Sequence, residues 1–288
     1  MTARRPAVIW LNDRLVPAAK ARIDPADRGF LLGDGLFETI PARDGRPLRL
    51  AAHLARLGRG ARILGIPLPA LDIAAALAAT LAANDLSEGV LRLTLTRGPG
   101  PRGLLPPPAP KPTIMITATA FPPPTGPARL IVATRTRRNE ASPLSTIKYL
   151  AYGDAILARQ EAAERGADDA ILLNLGGRVA ETTVATLFIV QGGRLLTPPQ
   201  TDGALPGILR AEMLAWGARE HSLTPADLLT ADGVFLANSL GFRLVISIDG
   251  QAVPDCTPLV HDLQGYVRQR ENGTSPEEPS DGGSPFPK

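Results

Sequence analysis

Lys148 closes the turn-forming run Ser142-Pro143-Leu144-Ser145-Thr146-Ile147, and Glu181 follows 33 residues later inside the strand-like run Val179-Ala180-Glu181-Thr182. An amine can condense with an aldehyde to give a Schiff base, and a carboxylate can keep a heteroaromatic nitrogen protonated. Pyridoxal phosphate needs both groups. No Gly-rich loop adjoins Lys148, which disfavours a nucleotide-binding lysine. Strand alternation turns Glu181 away from Ala180 and Thr182, and Val179, Val184, Leu187 and Phe188 read as buried neighbours. An acid in so apolar a run needs a partner, against the plainer reading of an edge-strand glutamate facing water.

The elements that must hold these two residues are legible from periodicity and turn residues. Ala7–Leu11 and Arg14–Pro17 read as a hairpin turning at Asn12-Asp13. The glycine-rich run from Asp27 to Gly35 implies a tight backbone path, and a strand from near Leu36 should end at Asp44-Gly45. Helices are expected over 50–64 and 71–83, then strands over 90–96 and 113–118. Beyond the proline-dense 106–127 come a strand over 130–134, a helix over 151–165, and strands over 170–174, 184–190 and 194–197. A helix opening near Gly207, strands over 234–237 and 244–248, and a helix over 258–270 complete an α+β pattern. The expected division is an N-terminal domain over 1–120, a linker over 121–127, a C-terminal domain over 128–270 and a disordered tail over 271–288.

With 288 residues and 44% hydrophobic content, the chain can bury a large core in one or two domains. Its 31 basic and 28 acidic residues are interspersed and leave a net charge of +3, so no nucleic-acid partner is expected. The one cysteine, Cys256, reads as a strand-end thiol, and the lack of a disulfide partner fits a reducing, cytoplasmic location. The Ala/Leu-rich stretch 73–83 is too short to span a bilayer, so no membrane role is expected. No metal site is expected either.

In order along the chain, the run Asp27-Arg28-Gly29, Gly33-Asp34-Gly35 and Phe37-Glu38 is followed by His53-x-x-Arg56-Leu57 and Thr96-Arg97-Gly98. Lys148, Val179-x-Glu181, Gly207-Ile208-Leu209-Arg210 and Phe235-Leu236-Ala237-Asn238-Ser239 come after them. From about Trp10 to Gly250 the sequence resembles the fold-type IV pyridoxal-phosphate enzymes, which include branched-chain aminotransferases, D-amino-acid aminotransferases and aminodeoxychorismate lyases. The resemblance implies an N-terminal α/β sandwich, a C-terminal pseudo-barrel and a homodimer. It makes Lys148 the Schiff-base lysine and acid–base group, and Glu181 the partner of the ring nitrogen. Arg56, the backbone of Ile208 and Leu209 at a helix start, and Ser239 beside Asn238 would hold the phosphate. His53 is expected to be structural, and Arg59 and Arg62 to be solvated.

The substrate implied is a small amino compound carrying a carboxylate, with Phe37, Arg97, Arg102 and Arg243 as candidate contacts, since a guanidinium fork matches a carboxylate. D-amino-acid aminotransferases have a tyrosine and a histidine at the places of Phe37 and Pro99, and branched-chain aminotransferases a tyrosine at the place of Gly153. The remaining pattern, Phe37-Glu38-Thr39, Arg97-Gly98-Pro99-Gly100-Pro101-Arg102-Gly103 and Asn238-Ser239-Leu240-Gly241-x-Arg243, is most similar to the aminodeoxychorismate lyases. Elimination of pyruvate from 4-amino-4-deoxychorismate is the activity this implies. Transamination of D-amino acids, branched-chain L-amino acids or (R)-amines is the alternative.

Overall fold

Residues 7–272 are described by the structure, a computed structural model, and they fall into two units. The first runs to Pro123 and includes Ile147–Ala151, and the second comprises Pro124–Thr146 and the chain from Tyr152 onward. Of the tail expected over 271–288, all beyond Asn272 lies outside the described residues.

The first unit contains β1 (Val8–Leu11), β2 (Arg14–Pro17), α1 (Arg28–Leu32), β3 (Gly35–Arg43), β4 (Arg46–Pro47), α2 (Leu50–Leu64), α3 (Ile73–Ala83), β5 (Gly89–Thr96) and β6 (Thr113–Thr119). Its strands form one antiparallel sheet in the order β2-β1-β6-β5-β3-β4. Register sorts the side chains by face, because directly opposed residues point the same way. Leu36 faces Leu95, Glu38 faces Leu93 and Ile40 faces Leu91, all buried, whereas Phe37 and Thr39 on the reverse face oppose Thr94 and Arg92. Helix α2 buries His53, Arg56, Leu57, Gly60 and Ala61, a stripe at helical spacing. A Cβ on Gly60 would come within 2.9 Å of Leu36, so a glycine there lets α2 close onto β3. The segment read as a tight glycine path forms α1 instead: the Asp27 carboxylate caps it by accepting from Gly29 N at 2.8 Å, and Gly33 ends it at φ 67°.

The second unit contains β7 (Ala128–Val132), α4 (Gly153–Glu164), β8 (Asp169–Leu173), β9 (Val179–Thr182), β10 (Thr186–Gln191), β11 (Arg194–Thr197), α5 (Ile208–Trp216), β12 (Arg219–Glu220), α6 (Pro225–Leu229), β13 (Gly233–Asn238), β14 (Gly241–Ile248), β15 (Gln251–Ala252) and α7 (Thr257–Glu271). The strands make a curled mixed sheet ordered β12-β11-β10-β13-β14-β7-β8-β9, with β15 paired to β14. Both faces of β10 are covered, so it reads as a continuous apolar run. Leu187 and Ile189 join Leu130, Ile171, Val179, Leu236 and Val245 in one core, while Phe188 stacks on Phe235 at 5.1 Å among Leu209, Met213, Val260 and Leu263 in another. The run around Glu181 is β9, and the strand expected from 184 begins at Thr186 as β10. A bend over 183–185 separates β9 from β10, and it leaves Val184 exposed rather than buried as expected. Cys256 stands at the start of α7, not at a strand end, and burial pushes its thiol up to about 11.

Ile147–Ala151 belongs with the first unit because it pairs with β3: Phe37 N donates to Lys148 O at 3.0 Å and Leu150 N to Gly35 O at 2.9 Å. Helix α4 accordingly starts at Gly153 rather than at Ala151. A Cβ on Gly35 would meet Leu95 O at 2.5 Å and Leu150 Cδ1 at 2.7 Å, so only glycine allows that pairing. Gly35→Ala is therefore expected to lower the unfolding free energy by about 1–3 kcal/mol, as overpacked sites do. Urea denaturation checks this, and an unchanged midpoint would show that the 147–151 segment does not press on β3.

Candidate active site

Strand pairing with β3 fixes the backbone of Lys148 and leaves its side chain half-buried beside β3. Its Nζ lies 4.3 Å from the centroid of the Phe37 ring, and Cζ of Arg92 lies 3.9 Å from the same centroid. Both are cation–π distances. One aromatic ring thus gathers an amine and a guanidinium on the sheet face away from α2. Arg92 was not among the arginines singled out in the sequence. Its signal was available, since the alternation of β5 sends Arg92 to the face of Phe37 while Leu91 and Leu93 go to the core.

The three arginines that were singled out sit differently. Arg97 is 5% exposed. Its Nε and Nη2 donate to Asp34 at 2.7 and 3.0 Å, and its Nη1 and Nη2 to Gly65 O and Leu64 O at 2.8 and 2.6 Å. Those donors tie the end of β5 to the end of α2, which makes Arg97 a structural clamp. Burial alone would raise the Asp34 carboxyl, but the hydrogen bonds and charges of Arg97 and Arg28 outweigh it and hold the group below the usual range. Arg102 is exposed on the loop that follows. In the second unit Arg243 donates from Nε to Gly126 O at 2.8 Å and lies 3.5 Å from Asp168, which anchors the chain entering β7.

Arg56 projects from the buried stripe of α2 onto Glu38. Its Nε donates to Glu38 Oε1 at 2.9 Å and its Nη2 to Oε2 at 2.6 Å, while His53 Nδ1 lies 2.7 Å from the same Oε2. All three residues are buried. Burial would raise the Glu38 carboxyl, but Arg56 and His53 outweigh it and it lies low; burial pushes His53 down, so its imidazole is neutral and its Nδ1 carries the donated proton. His53 is thus structural in the sense expected, but as part of a charged cluster.

In the second unit, Glu181 Oε1 lies 3.1 Å from Arg138 Nε, and Glu181 Oε2 accepts from Leu205 N at 3.0 Å. Arg138 also donates to Gly203 O and Ser145 O at 3.2 and 3.0 Å, so the guanidinium is fixed from several sides. The expected partner of an acid in an apolar run is therefore Arg138, a residue with no sequence signal beyond its charge. Helix α5 opens at Gly207 with no side chain capping its first amides, which leaves the backbone of Ile208 and Leu209 suited to an anion. A Cβ on Gly207 would lie 3.0 Å from Thr186 Oγ1. Asn238 Oδ1 accepts from Leu240 N at 2.9 Å, shaping the hairpin turn between β13 and β14 that carries Ser239.

An acid-sensitive fold follows from the Glu38 cluster. Both Glu38 and His53 have folded-state values below their ordinary ones of 4.5 and 6.5, so below those values the unfolded chain binds more protons and stability falls as pH falls. Urea midpoints are expected to decline from about pH 6.5 downward, and His53→Gln to flatten the upper part of that decline. A decline in the variant as steep as in the parent would remove His53 from the account.

A family model for amino-transferase class IV matches residues 35–248. A Methanocaldococcus jannaschii protein provisionally named a branched-chain-amino-acid aminotransferase is 35% identical over 256 residues, 85% of this chain and 89% of that protein. A Bacillus licheniformis D-alanine aminotransferase is 30% identical, over 87% of this chain and 91% of its own length. The crystal structure of 4-amino-4-deoxychorismate lyase from Pseudomonas aeruginosa superimposes with a TM-score of 0.78 at 33% identity, covering 91% of this chain and 98% of that one. The chain belongs to the class IV aminotransferases and is a pyridoxal-phosphate-dependent enzyme of fold type IV.

Proposed function

We propose that the enzyme is a 4-amino-4-deoxychorismate lyase, with Lys148 as its acid–base residue. The observation that carries the catalytic part of this reading is the convergence of the Lys148 amine and the Arg92 guanidinium on the Phe37 ring. The residues fit the cofactor: a half-buried amine, a carboxylate held by Arg138, and the side-chain-free N-terminus of α5 are what an aldehyde, a ring nitrogen and a phosphate require. When bound, pyridoxal phosphate supplies the aldehyde and an electron-accepting ring, so that the carbon bearing the substrate amine can lose a proton.

The chain's own residues then have separable tasks. Lys148 Nζ takes that proton, and Phe37 keeps the amine in place. Arg138 orients Glu181, the carboxylate that would partner the ring nitrogen. In the second unit the backbone of Ile208 and Leu209, and Ser239 beside Asn238, would take the phosphate, a role that the resemblance also gives to Arg56 of the first unit. Arg92 supplies the guanidinium for the substrate carboxylate, in place of Arg97. Phe37, Pro99 and Gly153 stand where the transaminases of this family carry tyrosine, histidine and tyrosine, which favours the lyase over them. Loss of the enolpyruvyl group as pyruvate leaves an aromatic ring, which supplies much of the driving force. Transamination is the second reading, favoured by the 35% identity to the M. jannaschii protein.

A homodimer is part of the proposal, supported by the exposed apolar side chains Phe30, Leu31, Leu104 and Leu105 of the first unit. No helix among the described residues is long and apolar enough to cross a membrane.

Purified enzyme supplied with chorismate, glutamine and the partner synthase is expected to release 4-aminobenzoate and pyruvate. No 4-aminobenzoate, together with a cofactor spectrum bleached by D-alanine or L-leucine, would reverse the order of the two readings. In the same assays Arg92→Gln is expected to raise KM about 10- to 100-fold, the cost of a lost charged hydrogen-bond pair. An unchanged KM would return the carboxylate to Arg102 or Arg243.

A further inference from the structure

The Glu38–His53–Arg56 cluster has more order than anchoring a helix to a strand requires. The Glu38 carboxylate takes one edge of the guanidinium, Nε at 2.9 Å and Nη2 at 2.6 Å, a two-point contact that fixes the plane of the group and not merely its position. His53 Nδ1, 2.7 Å from Oε2, in turn fixes the carboxylate. His53 is fully buried and neutral, so it adds a donor without adding a third charge. Its Nε2 is buried with no hydrogen-bonding partner among the described residues, so the ring is committed to Glu38 alone.

We infer that Glu38 and His53 are positioning residues for the phosphate group of the cofactor, acting through Arg56; this rests on the assignment of Arg56 to that phosphate. With Nε and Nη2 both donating to Glu38, the plane of the guanidinium is fixed. A phosphate oxygen meets a guanidinium already oriented, so less side-chain freedom is lost on binding. The same carboxylate balances the buried charge before phosphate arrives, which an unpaired arginine at 4% exposure could not do without a large desolvation cost.

The test compares pyridoxal phosphate with pyridoxal, which lacks only the phosphate, on the full chain stripped of cofactor, reading binding by absorbance. Glu38→Gln keeps size and shape but removes the charge. It is expected to weaken pyridoxal phosphate at least tenfold while leaving pyridoxal within about twofold, and Arg56→Gln is expected to give the same selective loss. The double variant should lose no more than Arg56→Gln alone, because both act through one guanidinium. A loss that is equal for the two ligands in Glu38→Gln but selective in Arg56→Gln would overturn the positioning role and leave the Arg56 assignment standing. Equal losses in both variants would overturn the Arg56 assignment and the inference with it. Should Glu38→Gln not fold, His53→Gln, which keeps the ion pair, and Glu38→Asp, which shortens it, are read by the same ratio. Selective loss in these supports the role, and none overturns it.

Discussion

Two backbone hydrogen bonds between β3 and the segment around Lys148 set the geometry on which the rest of the first unit's chemistry depends. They run from Phe37 N to Lys148 O and from Leu150 N to Gly35 O, at 3.0 and 2.9 Å. A lysine side chain has four rotatable bonds, and free in a loop it would lose much of its effective concentration to entropy. Pairing its backbone with the most buried strand of the sheet removes the loop's share of that freedom. The glycines on either side of Asp34 make the approach possible. Gly33 adopts φ 67°, and its Cβ would press on Ala151 Cβ at 2.9 Å; Gly35 leaves room for Leu150. Asp34 between them binds Arg28 and Arg97, both buried, so the residues that bracket the amine's backbone are themselves clamped.

Three carboxylates of buried or half-buried acids are held by arginines. Glu38 meets Arg56, Asp34 meets Arg28 and Arg97, and Glu181 meets Arg138 within its own unit. A buried ion pair contributes little net stability compared with an apolar substitute, and removing one partner is costly. Such pairs are therefore better understood as devices that fix orientation. In Arg97 the device is purely architectural, since carbonyls of Leu64 and Gly65 take the rest of the fork. In Arg56 and Arg138 the clamped group belongs to the proposed cofactor site, and the clamp sets its direction.

Much of this was legible in the sequence. Hairpins turn at Asn12-Asp13 and Asp44-Gly45, where Asn12, Asp44 and Gly45 adopt positive φ, because few other residues tolerate that backbone. The helix over 50–64 carries its period in its residues, whereas the one expected over 71–83 starts only at Ile73, where Asp72 caps it by accepting from Ala75 N at 3.0 Å. The bend over 183–185 was missed because Thr182-Thr183-Val184-Ala185 has no glycine or proline to mark it. Lys148 was assigned to the later domain by its position along the chain, whereas long-range pairing with β3 decides its place. Arg97 was singled out by its type and its motif, which say nothing of Asp34, 63 residues away, taking up its donors. The same limit hid Arg138 as the partner of Glu181. Charge pairs over such separations are set by the fold, and one-dimensional periodicity does not encode them.

The chain has four lysines, Lys20, Lys111, Lys148 and Lys288, so the covalent claim can be read directly. Borohydride reduction of the enzyme with pyridoxal phosphate, followed by peptide mass spectrometry, is expected to find one phosphopyridoxyl group per chain, on Lys148. A protein that stays colourless with the vitamin and bears no adduct on Lys148, or bears it on another lysine, would contradict the account.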